Sequence, residues 1–535
     1  MSEGSPRVLA QPATDAAARE LIAGLALRPW GQVAASVYES ARLVAGASWL
    51  PGHDKRVGFL LREQRPDGGW GPPEGYALVP TLSATDALLA VLADGGWPGA
   101  DLLAPVARGL DALTGRLLAM PARALPDTPA LDLIVPALVE SINERMALLD
   151  RAVADRLPRP RLALPAGLGP DRLRAVRAAV AAGAALPTKL AHFYEVLGAT
   201  PADAGPTLTA VGASPAATAA WLTAAGPDAG PAAHAFLREL IREGDGPVPC
   251  PTPITVFERA WVLSGLGRAG VAVNPPATVL RILAAATGAE GVATGEGLPT
   301  DADTTSVTLD ALARLGRPAD PAGLWAYETA DGFCTWPGSE DGFSVTTNAH
   351  VLDAFGQHVA ARPGVDARYH RTVERLSVVL PAHQLAEGPW QDRWHASPYY
   401  ATACCVLALA EFGRGGPAAE AVDRAARWVL ESQRADGSWG RWGGTAEETA
   451  YALQVLLAAP TGAPRVADAV ARGHAYLHQP SGRPHPPLWY GKELYCPTAI
   501  VRAAVLAACR LSSVHLVGVD RSVVDCGYQV TKTTT

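Results

Sequence analysis

Two carboxylates, Asp301 and Asp303, stand two residues apart in Leu298-Pro299-Thr300-Asp301-Ala302-Asp303-Thr304-Thr305-Ser306-Val307-Thr308-Leu309, at the start of a helical pattern. Hydroxyl residues follow them, not basic ones. Two kinds of chemistry fit. One is structural: a carboxylate or Thr304 accepts from the orphan amides of a helix N-terminus, and the negative charge complements the helix dipole. The other is catalytic: in an apolar cavity desolvation disfavours the ionised carboxyl, which then serves as a strong proton donor.

The elements around the acids must decide. A chain of 535 residues exceeds what one core usually organises, so two domains are expected. Hydrophobic residues make up 49% and charged residues 18%, with a net charge of -7, which argues against a nucleic-acid binder. The start, Met1-Ser2-Glu3-Gly4-Ser5-Pro6, has neither a basic region nor an apolar run, so no signal peptide is expected. No apolar stretch reaches membrane-spanning length, and a cytoplasmic protein without stable membrane insertion is expected. The seven cysteines include no Cys-x-x-Cys pair and read as small buried residues. The twelve histidines form no His-Glu-x-x-His pattern and read as structural.

One repeat stands out. Glu63-Gln64-Arg65-Pro66-Asp67-Gly68-Gly69-Trp70-Gly71 returns as Ser432-Gln433-Arg434-Ala435-Asp436-Gly437-Ser438-Trp439-Gly440, with a weaker cousin at Ala330-Asp331-Gly332-Phe333. Internal duplication at this distance signals a repeat architecture. Small-residue helix patterns follow the turns at 81–88 and 447–453 and recur at 214–219, 304–312, 348–355 and 400–409. Strand alternation is nearly absent. Paired helices stacked in rings fit this pattern, with a boundary near the Pro- and Gly-rich stretches 245–253 and 268–276.

These turns resemble the QW motifs of the terpene cyclase superfamily that includes squalene-hopene cyclases and copalyl diphosphate synthases. Further segments carry the likeness: Leu131 to Leu138, Leu186 to Leu190, Phe257-Glu258-Arg259-Ala260-Trp261, Trp390 to Tyr400, and Leu488 to Tyr495. The resemblance implies an all-α protein of two α/α barrels. Residues 1–45 and 270–535 would form the β domain carrying the acids, and 46–269 an inserted γ domain. It also implies class II cyclisation, in which an alkene is protonated and the diphosphate is kept. No Asp-Asp dipeptide is present for the class I alternative.

In such a site Asp303 would donate the proton, Asp301 would help keep it protonated, and Asn348 would hydrogen-bond the acid. Trp336, Phe343, Trp394, Tyr399, Tyr400 and Tyr490 are expected to stabilise cations in the cavity by cation–π attraction. Lys189, Arg393, Lys492 and Arg502 are expected to bind the diphosphate, with Mg²⁺ as cofactor and Glu63 as its candidate ligand. The usual motif is DxDD, whereas this chain has DADTT, with Thr304 in the last acidic place beside the cavity. That form looks like the one in drimenyl diphosphate synthases. The substrate expected is therefore fifteen-carbon farnesyl diphosphate, with geranylgeranyl diphosphate and a copalyl-type product as the alternative. The product would leave as a diphosphate, possible work for a downstream phosphatase. A protein-binding helical scaffold would explain the repeats but not the acids, and a protein prenyltransferase subunit would need a zinc site that is not apparent.

Overall fold

The computed structural model describes residues 11–530 apart from 96–100, 159–160, 185–186, 198–208, 227–228, 288–289, 339–342, 460–463 and 480–484, with backbone alone at 11–12, 286 and 519–530. The N-terminal stretch read for a signal peptide lies outside the described residues.

The Gly-Trp turns explain their own spacing. Gln64 donates to the carbonyls of Gly68 at 3.0 Å and Pro105 at 2.9 Å. Trp70 is fully buried, donating from its indole to the Leu60 carbonyl at 2.7 Å and from its backbone to the Thr81 hydroxyl at 2.9 Å. Gln433 and Trp439 repeat every one of these bonds, to Gly437, Ala469, Val429 and Thr449. So does a third set that sequence reading passed over, Gln384 with Gly388 and Ala421, and Trp390 with Leu380 and Thr402. This copy, Gln384-Leu385-Ala386-Glu387-Gly388-Pro389-Trp390, lacks the Arg and Asp of the others and shares only the Gln-Gly-Trp spacing. The glycine is required in all three: φ is +84°, +116° and +85° at Gly68, Gly388 and Gly437, and a Cβ would meet the backbone carbonyl of Arg108, Arg424 or Arg472. Each turn clips an outer helix to the next inner helix and to the outer helix that follows.

Inner helices built this way close two rings. The first runs α1 (Val37–Gly46), α2 (Leu78–Ala93), α3 (Leu131–Leu148), α4 (Tyr194–Leu197) and α5 (Pro215–Ala225), with α5 packed back on α1. The second runs α6 (Thr255–Arg268), α7 (Ala302–Arg314), α8 (Val345–Ala361), α9 (Pro398–Phe412), α10 (Ala446–Ala458) and α11 (Thr498–Val530), with α11 packed back on α6. Alanine, glycine and serine on the inner faces allow this approach. Helices such as Ala367–Ala382, Gly416–Glu431 and Pro464–Leu477 form the outer layer of the second ring. The mostly helical, paired-barrel class read from the sequence is the class observed.

The crossings lie elsewhere than at 45 and 270. Val37, Tyr38, Ala41 and Val44 of α1 belong to the first-ring core, and the apolar residues of α6 from Val256 to Leu266 belong to the second. The chain therefore leaves the second ring before residue 37 and returns by residue 254, its two crossing segments paired at Ala35 and Pro249. The Pro-rich composition at 268–276 reflects the link from α6 to an outer helix. Among the described residues two helices are also long and apolar enough to cross a membrane, contrary to the sequence reading. Glu74–Ala93 is 89% buried as an inner-ring helix, and Thr498–Gly518, 44% buried, lies in α11 of the second ring.

The loop before α11 joins the rings. Glu493 accepts from the Ser36 hydroxyl at 2.5 Å and the Tyr38 amide at 3.0 Å, capping α1 from the other ring. Lys492 donates to Glu39 at 2.7 Å, Glu195 at 2.8 Å and Ser214 at 2.8 Å, with 1% of its side chain exposed. Burial opposes its charge, but the two carboxylates outweigh it and hold the ammonium above its ordinary value. Lys492 is thus a buried pin rather than the diphosphate ligand expected. Lys492→Met would leave two carboxylates buried without their cation, a loss of about 3–5 kcal/mol for a broken buried pair. A urea-unfolding midpoint lowered accordingly checks this; an unchanged midpoint contradicts it.

Candidate active site

The two readings of the acidic stretch divide between its two acids. Asp301 is the N-cap of α7: its carboxylate accepts from the Thr304 amide at 2.6 Å and the Thr304 hydroxyl at 2.9 Å. It is 3% exposed, and burial, opposed by those bonds and reinforced by the Asp303 charge, pushes its pKa up to about 7. Asp303, two residues past the cap, is directed elsewhere. Its Oδ1 lies 2.7 Å from Nδ1 of His350 on α8, and its side chain is 16% exposed. Burial disfavours the His350 imidazolium, yet Asp303 and then Cys404 outweigh burial and raise its pKa well above the ordinary value. The pair is therefore a carboxyl group facing a cationic imidazole.

Asn348, expected on the acid, is turned away from it. Its side chain accepts from the Phe333 amide at 2.9 Å and donates to the carbonyls of Phe333 at 2.9 Å and Ser344 at 2.8 Å. It pins the loop whose Thr335 carbonyl receives the Ala302 amide at 3.0 Å, so it supports the start of α7 at one remove. His350 was passed over because a lone histidine is usually structural. It lies six residues after the α8 cap Ser344, in the same segment as Asn348.

Around the pair stands a box of rings. The Trp261 indole donates to the Tyr400 hydroxyl at 3.0 Å and meets the His350 ring edge-on at 5.4 Å. Tyr400 lies 4.6 Å from Trp489, 5.2 Å from Tyr451 and 4.7 Å from His395, centroid to centroid. Burial raises the Tyr400 and Tyr451 hydroxyls far above their ordinary value, so both stay neutral phenols. Of the six aromatics expected, Tyr400 alone joins this box. Trp261, Tyr451 and Trp489 were missed, although Trp261 follows Phe257 by one helical turn and Trp489 lies in a segment already singled out.

The other aromatics have separate places. Trp336 and Trp394 form an edge-to-face pair at 5.3 Å, with Lys189 5.7 Å from the first ring and Arg393 5.3 Å from the second. Arg393 also pairs with Asp127 of the first ring at 3.0 Å. Tyr490 meets Tyr76 of the first ring hydroxyl to hydroxyl. Phe343 stacks on His383 at 3.9 Å, and Tyr399 packs on Trp428 of an outer helix, so neither faces the box. Thr304 is 2% exposed and bonded to Asp301 and Thr294, out of the box as well. Arg502 is 44% exposed on α11 and pairs with Glu20 at 3.4 Å.

Glu63, the candidate Mg²⁺ ligand, ends an outer helix and is exposed. Among the described residues no group of three His, Cys, Asp or Glu could hold a metal.

An aspartate paired with an imidazole at the start of an inner helix thus stands beside a cluster of aromatic rings. The chain belongs to the class II terpene cyclase family. Residues 339–492 match the squalene-hopene cyclase C-terminal domain. The chain is 44% identical to ent-copalyl diphosphate synthase of Streptomyces sp. (strain KO-3988), over 92% of this chain and 94% of that one. It is 42% identical to labda-7,13-dienyl diphosphate synthase of Streptomyces clavuligerus, over 92% of each. The solved ent-copalyl diphosphate synthase from Streptomyces platensis superposes with a TM-score of 0.87 at 45% identity, covering 94% of this chain and 99% of that one.

Asp301 supplies a test of the electrostatics. With a folded pKa near 7, the native chain keeps a proton between about pH 4 and 7 that the unfolded chain has released. Stability therefore falls as pH rises through that window and levels above it. Asp301→Asn retains the oxygen that accepts from Thr304 and removes the titration, so the difference in unfolding free energy between wild type and variant should change across the window. A pH-independent difference would contradict the assignment.

Proposed function

We infer that the chain is a class II diterpene cyclase that converts geranylgeranyl diphosphate to a copalyl-type bicyclic diphosphate. The observation that carries this is the Asp303–His350 contact at the edge of the aromatic box. An isolated alkene is a very weak base, so its protonation needs a strong acid shielded from water. Asp303 gives its proton to the terminal alkene from the oxygen not facing His350, and the imidazolium stabilises the carboxylate left behind. The tertiary cation closes two rings by attack of the internal alkenes, and the bicyclic cation then loses a proton to a base to leave an alkene, which balances the proton added. The faces of Trp261, Tyr400, Tyr451 and Trp489 attract the successive cations by about 0.5–2 kcal/mol each.

Lys189 and Arg393, from facing rings, are suited to hold the diphosphate, and the N-termini of the inner helices add a favourable potential for it. The earlier expectation of a farnesyl substrate rested on Thr304. That residue is buried behind Asp301 and cannot gauge chain length, while the names of the relatives favour the longer, diterpene substrate. Those names also support retention of the diphosphate. Mg²⁺ would have to draw its ligands largely from the substrate phosphates.

Purified protein incubated with geranylgeranyl or farnesyl diphosphate, with products dephosphorylated before mass analysis, tests the reading. A bicyclic alcohol is expected from the longer substrate, absent without dephosphorylation and abolished in Asp303→Ala. Conversion of farnesyl diphosphate alone would return the enzyme to the sesquiterpene branch. His350→Gln keeps a donor but no positive charge, and should lower kcat by about 10²–10⁴, the usual scale of an acid–base contribution. A kcat unchanged in that variant would remove the imidazolium from the mechanism.

A further inference from the structure

The positive charge that Asp303 places on carbon has to be balanced somewhere. Before the proton is given, the Asp303–His350 pair carries the charge of the imidazolium. Afterwards the pair is neutral and the charge sits on the substrate, among the rings. An anion fixed on another side of the aromatic box would favour that movement, since it gains more from a cation inside the box than from the imidazolium behind it.

Such an anion is present. Glu447 lies in the first turn of α10 and is 0% exposed. Its Oε1 accepts from the Trp489 indole at 2.8 Å and from Nε2 of His395 at 3.2 Å, with the Tyr451 hydroxyl 3.5 Å away. These are walls of the box: Trp489 and Tyr451 both pack on Tyr400, and His395 stacks on it. Trp261 is the ring that meets His350. Glu447 and the acid pair therefore adjoin different rings of the same box.

No cation neutralises Glu447. Among the described residues no lysine or arginine forms an ion pair with it, and its one ionisable partner is His395. Nδ1 of that imidazole lies 3.0 Å from the Ser397 amide, closer than the Ser397 carbonyl at 3.3 Å. An amide only donates, so His395 keeps its single proton on Nε2, shares it with Glu447 and is neutral. Oε2 of Glu447 is buried without a hydrogen-bond partner, so no acceptor awaits the proton of a carboxylic acid there. The pattern is that of a carboxylate, at a position where the N-terminus of α10 favours negative charge. Glu39, Asp86 and Asp310 are buried as deeply, and each has a lysine or an arginine. A buried carboxylate without one is costly, and the cation that Glu447 lacks at rest is one the reaction supplies.

We propose that Glu447 is the fixed counter-charge of the aromatic box, stabilising the carbocations that form against Trp489 and Tyr451 without touching them. Its field acts across the rings, and its hydrogen bond polarises the indole so that the ring face attracts a cation more strongly. The carboxylate is sealed behind the rings, so Glu447 is a positioning residue and not the base that ends the reaction.

The inference rests on the class II reading. Failure of that reading shows as no cyclised product from the wild type with either prenyl diphosphate, whereas failure of the inference leaves wild-type turnover intact and is read from inhibitors. The probes are a bicyclic diphosphate with a tertiary ammonium at the position of the last carbocation, and its neutral carbon isostere. The wild type should bind the ammonium probe more tightly. Glu447→Gln keeps an oxygen for Trp489 and His395 and removes the charge. That preference should then fall by at least about tenfold, the scale for unit charges about 10 Å apart at an effective dielectric constant of about 20. The neutral probe's inhibition constant should be unchanged, and kcat should fall by a similar factor with KM kept. Because the variant removes a buried charge that has no partner, its melting temperature should hold or rise. Equal weakening of both probes, an unchanged preference, or a variant that does not fold would give the carboxylate a structural role and overturn the proposal. A wild type indifferent to the charge of the probe would overturn it without any variant.

Discussion

A carboxylic acid protonates carbon only where water cannot take the proton first, and this constraint accounts for the placement of nearly every element described. Asp303 stands at the N-terminal end of an inner helix, at the face where one ring meets the other. The loops before α9, α10 and α11 reach the first ring through Arg393, Arg441 and Lys492. The interface between the rings is thus made by the loops that lead into the inner helices of the second.

Holding such a seam closed requires charge that is itself buried. Glu39 and Glu195 share one ammonium. Glu39 stays ionised, because Lys492 and the Ala216 amide outweigh its burial, whereas Glu195 is raised by burial and by Glu39 beside it. A hydrophobic patch would bury more apolar area, but it would fix the rings less definitely in register. The ion cluster accepts only one relative placement of α1, α4 and the 492–493 loop.

The repeats were legible because the turn chemistry is local: Gln, Gly and Trp act within seven residues of one another. The third copy was harder to see, since the Arg and Asp that decorate the other turns are absent there. The acids were legible as well, as a pair at the start of a helix. What escaped was partnership across the ring. Nothing in the spacing of Ser344 to His350 distinguishes Asn348, facing a loop, from His350, facing the acid, because that depends on the rotation of α8 about its axis. Lys492 misled for a related reason: a lysine beside a diphosphate and a lysine buried between two glutamates look alike until both partners, hundreds of residues away, are placed. The domain limits were displaced because composition marks loops, whereas membership in a ring is decided by which core an apolar face joins.

The cap that Glu493 places on α1 spans 457 residues of chain. At translation rates of about 5–20 residues per second, Ser36 waits on the order of half a minute for it. Until then Glu39 lacks its ammonium, and the last inner helix of the second ring does not yet exist. The first ring's sequence is complete while Glu39 and Glu195 still lack the Lys492 ammonium. The bonds that Lys492 and Glu493 make between the rings can therefore form only once nearly the whole chain has been synthesised.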